Sequence, residues 1–143
     1  VKGEYIAFLD SDDSWAPGKL EQQLSFLKAQ PSEIGGCVSH YRLQFPNKSI
    51  VRRIDMEDDF YQQSLKGCNL SPGSTLLFKR TCLDQVGFQD ETLKRFEDWE
   101  WQICFSRSYK WKMVPEVLAI IKAGHTVSFD VAKQALARLE ELT

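Results

Sequence analysis

The chain of 143 residues lacks several features that would assign it to a simple class of protein. Its four cysteines are widely spaced and form no CxxC pair, which argues against a zinc site or a disulfide framework. No apolar run is long enough to span a bilayer. The net charge of −2 gives no electrostatic basis for binding nucleic acid or an acidic membrane. We therefore expect free thiols in a reducing, cytoplasmic compartment and no nucleic-acid partner.

The order of apolar and polar segments predicts a single α/β domain over residues 1–143. Strands alternate with helices that end at Pro, Gly or polar turns, as in sheets flanked by helices. The predicted strands cover 5–9, 37–45, 50–54, 75–78, 111–114 and 117–121. The predicted helices cover 17–30, 57–61, 80–86 and 97–107, followed by a last amphipathic helix with Phe129, Ala132, Leu136 and Leu139 on one face.

The start of the chain is unusual, because Val1-Lys2-Gly3-Glu4 leads at once into the apolar strand 5–9. A buried parallel strand needs neighbours on both sides. We therefore expect the chain to be a truncated piece of a longer domain. Exposed strand edges and apolar patches favour association, so a homo-oligomer through the truncation surface is expected.

The first candidate site is Asp10-Ser11-Asp12-Asp13, here called the acidic loop, which directly follows the predicted strand 5–9. At about 4 Å, two carboxylates repel by roughly 1 kcal/mol in water and roughly 4 kcal/mol near a protein surface. A divalent cation such as Mg²⁺ or Mn²⁺ reverses that repulsion. A solvated acidic turn is the alternative interpretation. The residues alone leave both open.

Two further segments carry candidate groups. Glu97 and Asp98 begin a predicted helix, where acidic side chains complement the helix dipole. Asp98 beside Trp99 is alternatively a general base whose pKa is raised by aromatic neighbours. His125 follows the last strand, where it is either structural or a donor to a phosphate or metal shell. Gly73 and Ser74 form either a simple turn or the lining of a sugar pocket, and His40, inside a strand, is interpreted as structural.

Three segments in sequence resemble the family 2 glycosyltransferases of the GT-A fold. Residues 3–21, with Asp10-Ser11-Asp12, look like the DxD region of that family. Residues 87–91 and 96–100 are similar to its acceptor and base segment, and residues 109–119 resemble the strand region that follows. The resemblance implies a partial GT-A fold with a mixed sheet flanked by helices, whose N-terminal, nucleotide-binding half is absent.

The resemblance also implies roles for individual residues. Asp10 and Asp12 would hold the ribose and the metal–diphosphate side of a nucleotide-sugar donor, with Mn²⁺ or Mg²⁺ as the metal. Asp98 would deprotonate the hydroxyl of a glycan or lipid-linked acceptor, and the sugar would be transferred with inversion. The resemblance also implies that Asp13 lies near the donor and cofactor, and that Glu97 and Trp99 belong to the acceptor segment. The assignments of His125 to the donor and cofactor, and of Gly73 and Ser74 to the acceptor, come from their residue types and not from the resemblance.

The sequence departs from the family pattern at two places and leaves alternatives. Cys104 and Ile121-Lys122 stand where family members often have an Arg and a Tyr-Arg pair, so the contacts made there are in doubt. A haloacid-dehalogenase-like phosphatase also places Asp-x-Asp after an apolar strand, and a non-catalytic binding module is the third interpretation. For the longer protein, a lipid-linked acceptor would imply a place at the inner face of the cell membrane.

Overall fold

A computed structural model describes residues 2–67, 70, 72–88, 91–94, 97–123 and 137, without the side chains of residues 97 and 98. This part of the chain forms six strands and four helices. The strands are β1 (Tyr5–Ala7), β2 (Ser14–Trp15), β3 (Ile34–Gln44), β4 (Ser49–Arg52), β5 (Leu76–Lys79) and β6 (Lys110–Lys122). The helices are α1 (Lys19–Lys28), α2 (Phe60–Lys66), α3 (Arg80–Val86) and α4 (Glu97–Ser108), and a 3₁₀ turn covers Gly73–Thr75.

The strands form one mixed sheet in the order β1-β5-β3-β6-β2, with β4 beside the second half of β3. The long strands β3 and β6 run parallel, and the other pairs are antiparallel. A parallel pair needs a crossover connection, and here the chain between β3 and β6 supplies helices α2, α3 and α4. This arrangement confirms the predicted mixed sheet flanked by helices.

The core lies in two layers, one on each face of the sheet. One layer is an aromatic cluster in which Phe78 of β5 packs against Trp101 and Phe105 of α4, with ring centroids 4.9 and 6.0 Å from that of Phe78. The other layer is aliphatic and lies beneath α1, where Leu27 packs with Leu77 and Leu118. Burial of both faces explains why residues 34–38 of β3 and 76–78 of β5 are apolar without polar alternation.

Two glycines in β3 let the aromatic layer approach the sheet. A Cβ atom on Gly36 would collide with the Trp111 ring and lie 2.9 Å from the Cβ of Phe78. A Cβ atom on Gly35 would lie 2.8 Å from the Cβ of Tyr109. The pair therefore leaves the space that the large rings fill, which the sequence pattern alone did not indicate.

Several predicted boundaries are wrong for identifiable reasons. The predicted strands 111–114 and 117–121 are one strand, because β6 keeps pairing with β3 across an irregularity in which Pro115 and Glu116 are skipped. Helix α1 begins at Lys19 and not at Pro17, because Gly18 adopts a left-handed conformation with φ of 80°. Helix α3 matches its prediction, and Gly87 follows it with a positive φ of 86°.

Strand β1 is shorter than the predicted strand and runs in a different direction from its neighbour. It ends at Ala7, so Phe8 turns toward the aromatic cluster and Leu9 is 49% exposed. The sequence predicts a parallel strand that is central in the complete sheet and has an open edge in this chain. Within the described residues β1 pairs with β5 alone, and that pairing is antiparallel.

Candidate active site

The acidic loop connects β1 to β2 at one end of the sheet. The backbone N–H of Asp13 donates to the carbonyl of Asp10 at 3.0 Å and closes the loop into a turn. Asp10 and Asp12 are exposed, whereas Asp13 is half-buried. The loop is therefore a compact turn in which two carboxylates face solvent and the third is partly withdrawn from it.

Ser74 joins the acidic loop to the 3₁₀ turn. Its hydroxyl accepts from the backbone N–H of Asp10 at 3.1 Å and donates to Oδ2 of Asp13 at 2.7 Å. Its carbonyl accepts from Nε1 of Trp15 at 2.9 Å. Ser74 is fully buried, so its side chain holds the loop from beneath. The predicted contact of Ser74 and its neighbour Gly73 with an acceptor stays a prediction.

The C-terminal end of β6 lies against the same loop. Strand β2 pairs with β6, so that Ser14 faces Ile120 and Trp15 faces Ala119. The backbone N–H of Lys122 donates to Oδ1 of Asp13 at 3.2 Å. The polypeptide thus passes the acidic loop as it leaves β6. His125, which sequence reasoning assigned to the donor site, lies outside the described residues.

Helix α1 places a buried cation below the loop. Lys19 is 1% exposed, and its ammonium lies 4.5 Å from the centre of the Trp15 ring. Burial lowers the pKa of Lys19 from 10.5 to about 8, while the nearby Cys37 thiol acts in the opposite direction. Burial likewise raises the pKa of Cys37 to about 12, so that this thiol is protonated at neutral pH.

The proposed base segment begins helix α4, as expected. Glu97 and Asp98 are the first two residues of the helix, and their side chains lie outside the described part. Trp99 is half-buried and its Nε1 donates to the carbonyl of Ser64 at 2.7 Å. Trp101 points into the aromatic cluster instead.

The other predicted polar residues have structural places. His40 is buried, and its Nδ1 accepts from the backbone N–H of Ile54 at 3.0 Å, which confirms the structural interpretation. Burial, aided by the charge of Arg53, lowers the pKa of His40. The described cysteines Cys37, Cys82 and Cys104 are free, as predicted, and Cys68 lies outside the description.

The donor set of the acidic loop suits a metal held together with a phosphate. Across the described ranges, no group of three or more His, Cys, Asp or Glu side chains forms a metal-ligand set by itself. Mg²⁺ in phosphate-binding sites typically takes one or two carboxylates and completes its shell with phosphate oxygens and water. Exposed Asp10 and Asp12 fit that requirement, because they offer hard oxygen ligands from one short turn.

Sequence reasoning missed Lys19, Trp15 and the hydroxyl of Ser74 as supports of the loop. The sequence contains only a weak signal, namely a Trp and a Lys within six positions after Asp13. Their role becomes clear only from the pairing of β2 with β6. In the part of the chain that the structure describes, no helix is long and apolar enough to cross a membrane.

Comparison with known sequences agrees with this geometry. The family described as Glycosyl transferase family 2 matches residues 1–87, which is more than half of the chain. The chain therefore belongs to glycosyltransferase family 2, and its sheet with flanking helices is a partial GT-A fold. Family membership supports the transferase prediction over the phosphatase and the non-catalytic alternatives.

Individual relatives share the family but differ in extent. The UDP-Glc:alpha-D-GlcNAc-diphosphoundecaprenol beta-1,3-glucosyltransferase WfgD of Escherichia coli is 31% identical over 88 residues, or 62% of this chain and 34% of that protein. The uncharacterized glycosyltransferase YwdF of Bacillus subtilis is 24% identical over 154 aligned positions, or 99% of this chain and 55% of that protein. The chain thus spans between a third and about half of the length of these relatives.

Proposed function

We propose that this chain belongs to an inverting, metal-dependent glycosyltransferase that moves a sugar from a nucleotide-diphosphate donor to the hydroxyl of a glycan or lipid-linked acceptor. The observation that carries the proposal is the acidic loop, held at the C-terminal end of β6 by hydrogen bonds from Ser74 and Lys122. Ligands of open α/β sheets bind outside the carboxyl ends of the strands. The diphosphoundecaprenol-linked acceptor in the name of the Escherichia coli relative supports the acceptor class.

Asp10 and Asp12 are the residues that would hold Mn²⁺ or Mg²⁺ in this proposal. When bound, such a metal neutralises the charge that develops on the leaving diphosphate. Asp10 additionally serves the ribose. His125 serves the diphosphate side of the donor. The roles of Asp10 and Asp12 follow the family resemblance, and that of His125 follows from its ability to donate to a phosphate. The exposure of Asp10 and Asp12 leaves room for a ligand above the loop.

Asp98 is the general base of the proposed reaction. It takes the proton of the acceptor hydroxyl while the acceptor oxygen forms a bond to the anomeric carbon. The bond from that carbon to the diphosphate oxygen breaks, and its electron pair leaves with the diphosphate. Because attack and departure occur on opposite faces in one displacement, the configuration inverts. Glu97 and Trp99 border the acceptor, and Asp98 lies between them in the first turn of α4.

The function is tested by binding of UDP-glucose to the full chain in the presence of Mg²⁺, followed by saturation-transfer NMR. Saturation transfer to the ribose and glucose protons, lost on addition of a chelator, is the expected result. Hydrolysis of phosphate esters by the chain, without UDP-glucose binding, would replace the proposal by the phosphatase alternative. Turnover is not the readout, because a partial catalytic domain is expected to be inactive.

A further inference from the structure

Both carboxylate oxygens of Asp13 are occupied by donors from distant parts of the chain. Oδ2 accepts from the Ser74 hydroxyl at 2.7 Å, and Oδ1 accepts from the backbone N–H of Lys122 at 3.2 Å. Hydrogen bonds to an ionised carboxylate are roughly twice as strong as neutral ones. Asp13 is also half-buried, whereas Asp10 and Asp12 are exposed, although all three lie in one turn.

Ser74 is the second half of the same arrangement. One hydroxyl group both accepts from the Asp10 backbone and donates to the Asp13 carboxylate, so it contacts the first and last residues of the acidic loop. It is fully buried, which fixes its rotamer. Nε1 of Trp15 holds the Ser74 carbonyl at 2.9 Å and secures the main chain of the 3₁₀ turn.

We propose that Asp13 and Ser74 are positioning residues that fix the acidic loop, with Asp13 acting as a clamp between the loop, the 3₁₀ turn and β6 and not as a metal ligand. This inference rests on the proposed donor site at the same loop. In this clamp the Asp13 carboxylate accepts two hydrogen bonds, which hold the turn rigid. Asp10 and Asp12 are therefore presented together from a rigid turn. Preorganised ligands need such a supporting shell, since a loosely held turn loses the binding geometry.

The proposal distinguishes Asp13 from Asp12 by simple chemistry. Asp13→Ala removes both acceptor oxygens, so the Ser74 hydroxyl and the Lys122 N–H both lose their partner on Asp13. An amide would not test the clamp, because the oxygen of Asn can accept from the Lys122 N–H while its NH₂ group donates to the Ser74 oxygen. Asp12→Ala removes a proposed metal ligand and leaves both hydrogen bonds of the clamp in place.

The test combines a metal-free readout with a binding readout on the full chain. Amide hydrogen exchange, followed by NMR, reports whether the N–H groups of Asp10 and Lys122 are protected. Ser74→Ala should accelerate exchange at Asp10, Asp13→Ala should accelerate it at Lys122, and Asp12→Ala should change neither. Ser14→Ala is the matched control, because Ser14 adjoins the loop with an exposed side chain.

Mn²⁺ titration in the presence of UDP, followed by electron paramagnetic resonance, supplies the binding readout. Loss of a supporting contact typically weakens metal affinity roughly 10–100-fold, so Ser74→Ala and Asp13→Ala should fall in that range. Asp12→Ala should abolish binding. If Ser74→Ala fails to fold, Asp13→Ala, at a half-buried position, decides the question alone.

Two outcomes of these comparisons overturn the proposal. Wild-type exchange at Asp10 and Lys122 in both variants would show that no clamp exists. Abolition of Mn²⁺ binding by Asp13→Ala with unchanged exchange at Lys122 would make Asp13 a direct ligand. A wild-type chain that binds neither Mn²⁺ nor UDP would instead overturn the proposed function and with it the positioning role, while the exchange rates would still report whether the hydrogen-bonded clamp is formed.

Discussion

The ammonium group of Lys19 lies 4.5 Å from the centre of the Trp15 ring and is shut off from solvent by helix α1 and the sheet. Among the described residues its Nζ atom has no hydrogen-bond partner, and neither has the buried Oε1 atom of Gln23 one helical turn away. A buried charge with no ion-pair partner is costly. Lys19 thus supports Trp15, which in turn holds Ser74, at the expense of stability.

We predict that this cost makes stability depend on pH. The unfolded chain keeps the Lys19 proton up to about pH 10.5, whereas the folded chain releases it near the lowered pKa of about 8. Between these values the unfolded state binds more protons, so the free energy of unfolding rises with pH. Below pH 8 both states are protonated and the full cost of burial applies. The clearest window is pH 8 to 9, because above pH 9 the raised pKa of Cys37 acts in the opposite direction.

Urea unfolding at several pH values checks this prediction. Lys19→Met keeps the length of the side chain over Trp15 and should remove the rise between pH 8 and 9, while increasing stability at pH 7. Lys28→Met, at the exposed end of the same helix, is the control and should keep the rise. Equal pH slopes for the wild-type chain and Lys19→Met would contradict the assignment to Lys19.

We predict weak binding of Mn²⁺ or Mg²⁺ by the chain without nucleotide. Like-charge repulsion in the acidic loop favours a cation, but the diphosphate that completes the shell is missing. Isothermal titration should give heats for the wild-type chain that the double variant Asp10→Asn/Asp12→Asn lacks. Asp58→Asn/Asp84→Asn removes two exposed charges elsewhere and should behave as the wild type. Equal heats from all three proteins would remove the metal role of the loop.

We predict that Asp98 is essential for turnover in an active form of the enzyme. Replacing a general base by its amide costs roughly 10²–10⁴ in kcat, and donor affinity should stay nearly unchanged because Asp98 contacts the acceptor. Asp98→Asn and the exposed control Asp84→Asn would be compared by steady-state kinetics. Near-normal turnover of Asp98→Asn would show that Asp98 is not the base. Its role would then be the favourable interaction of an acidic side chain with the helix dipole.

We predict that Gly36→Ala destabilises the fold by about 1–3 kcal/mol, the usual cost of overpacking a core. The added methyl group would collide with the Trp111 ring, which is itself packed against Phe105 at 4.5 Å between centroids. Gly67→Ala is the control, because a Cβ atom there meets nothing within 4 Å and the backbone is extended. Thermal unfolding of both variants tests the packing, and equal melting temperatures would disprove it.

We predict that the chain associates through the apolar groove between β1 and α1. The groove has a volume of about 440 Å³ and is bordered by Leu20, which is 46% exposed. Exposed strand edges and apolar patches both favour association. Sedimentation at several concentrations should show at least a dimer, which Leu20→Lys weakens and Val51→Lys, at another exposed site, does not. A strictly monomeric wild-type chain would refute this prediction. The lining residues are Tyr5, Ala7, Trp15, Leu20, Leu24 and Leu77.

The local sequence pattern was sufficient to predict helix α3. A glycine follows its last residue, and the predicted and observed bounds of the helix are the same. Strand β2 was missed because two residues carry no period, and only the pairing with Ile120 and Ala119 makes them a strand. Likewise, β6 was divided at Pro115, because its continuous pairing with β3 cannot be read from the segment itself.

The candidate site likewise has features that local sequence predicts and features that depend on distant contacts. Three carboxylates after an apolar strand identified the acidic loop from the sequence, and the family resemblance supplied its expected ligands. What separates Asp13 from Asp10 and Asp12 is the contact with Ser74 and Lys122, which are 61 and 109 residues away in sequence. Such partners depend on how the chain crosses the sheet, so identical residue types in one turn could not be told apart in advance.

The Asp13–Lys122 hydrogen bond also constrains the order in which this protein folds. It closes a loop of 109 residues, and it forms only after β6 has added to β3 as a parallel neighbour. Pairings of such long range are slow, because the chain entropy is lost before the contact is gained. During synthesis the acidic loop leaves the ribosome 109 residues before Lys122 and is secured only when the chain beyond α4 has followed. Substitutions that weaken the β3–β6 pairing should therefore delay the fixing of the acidic loop more than they delay the formation of α1 or α3.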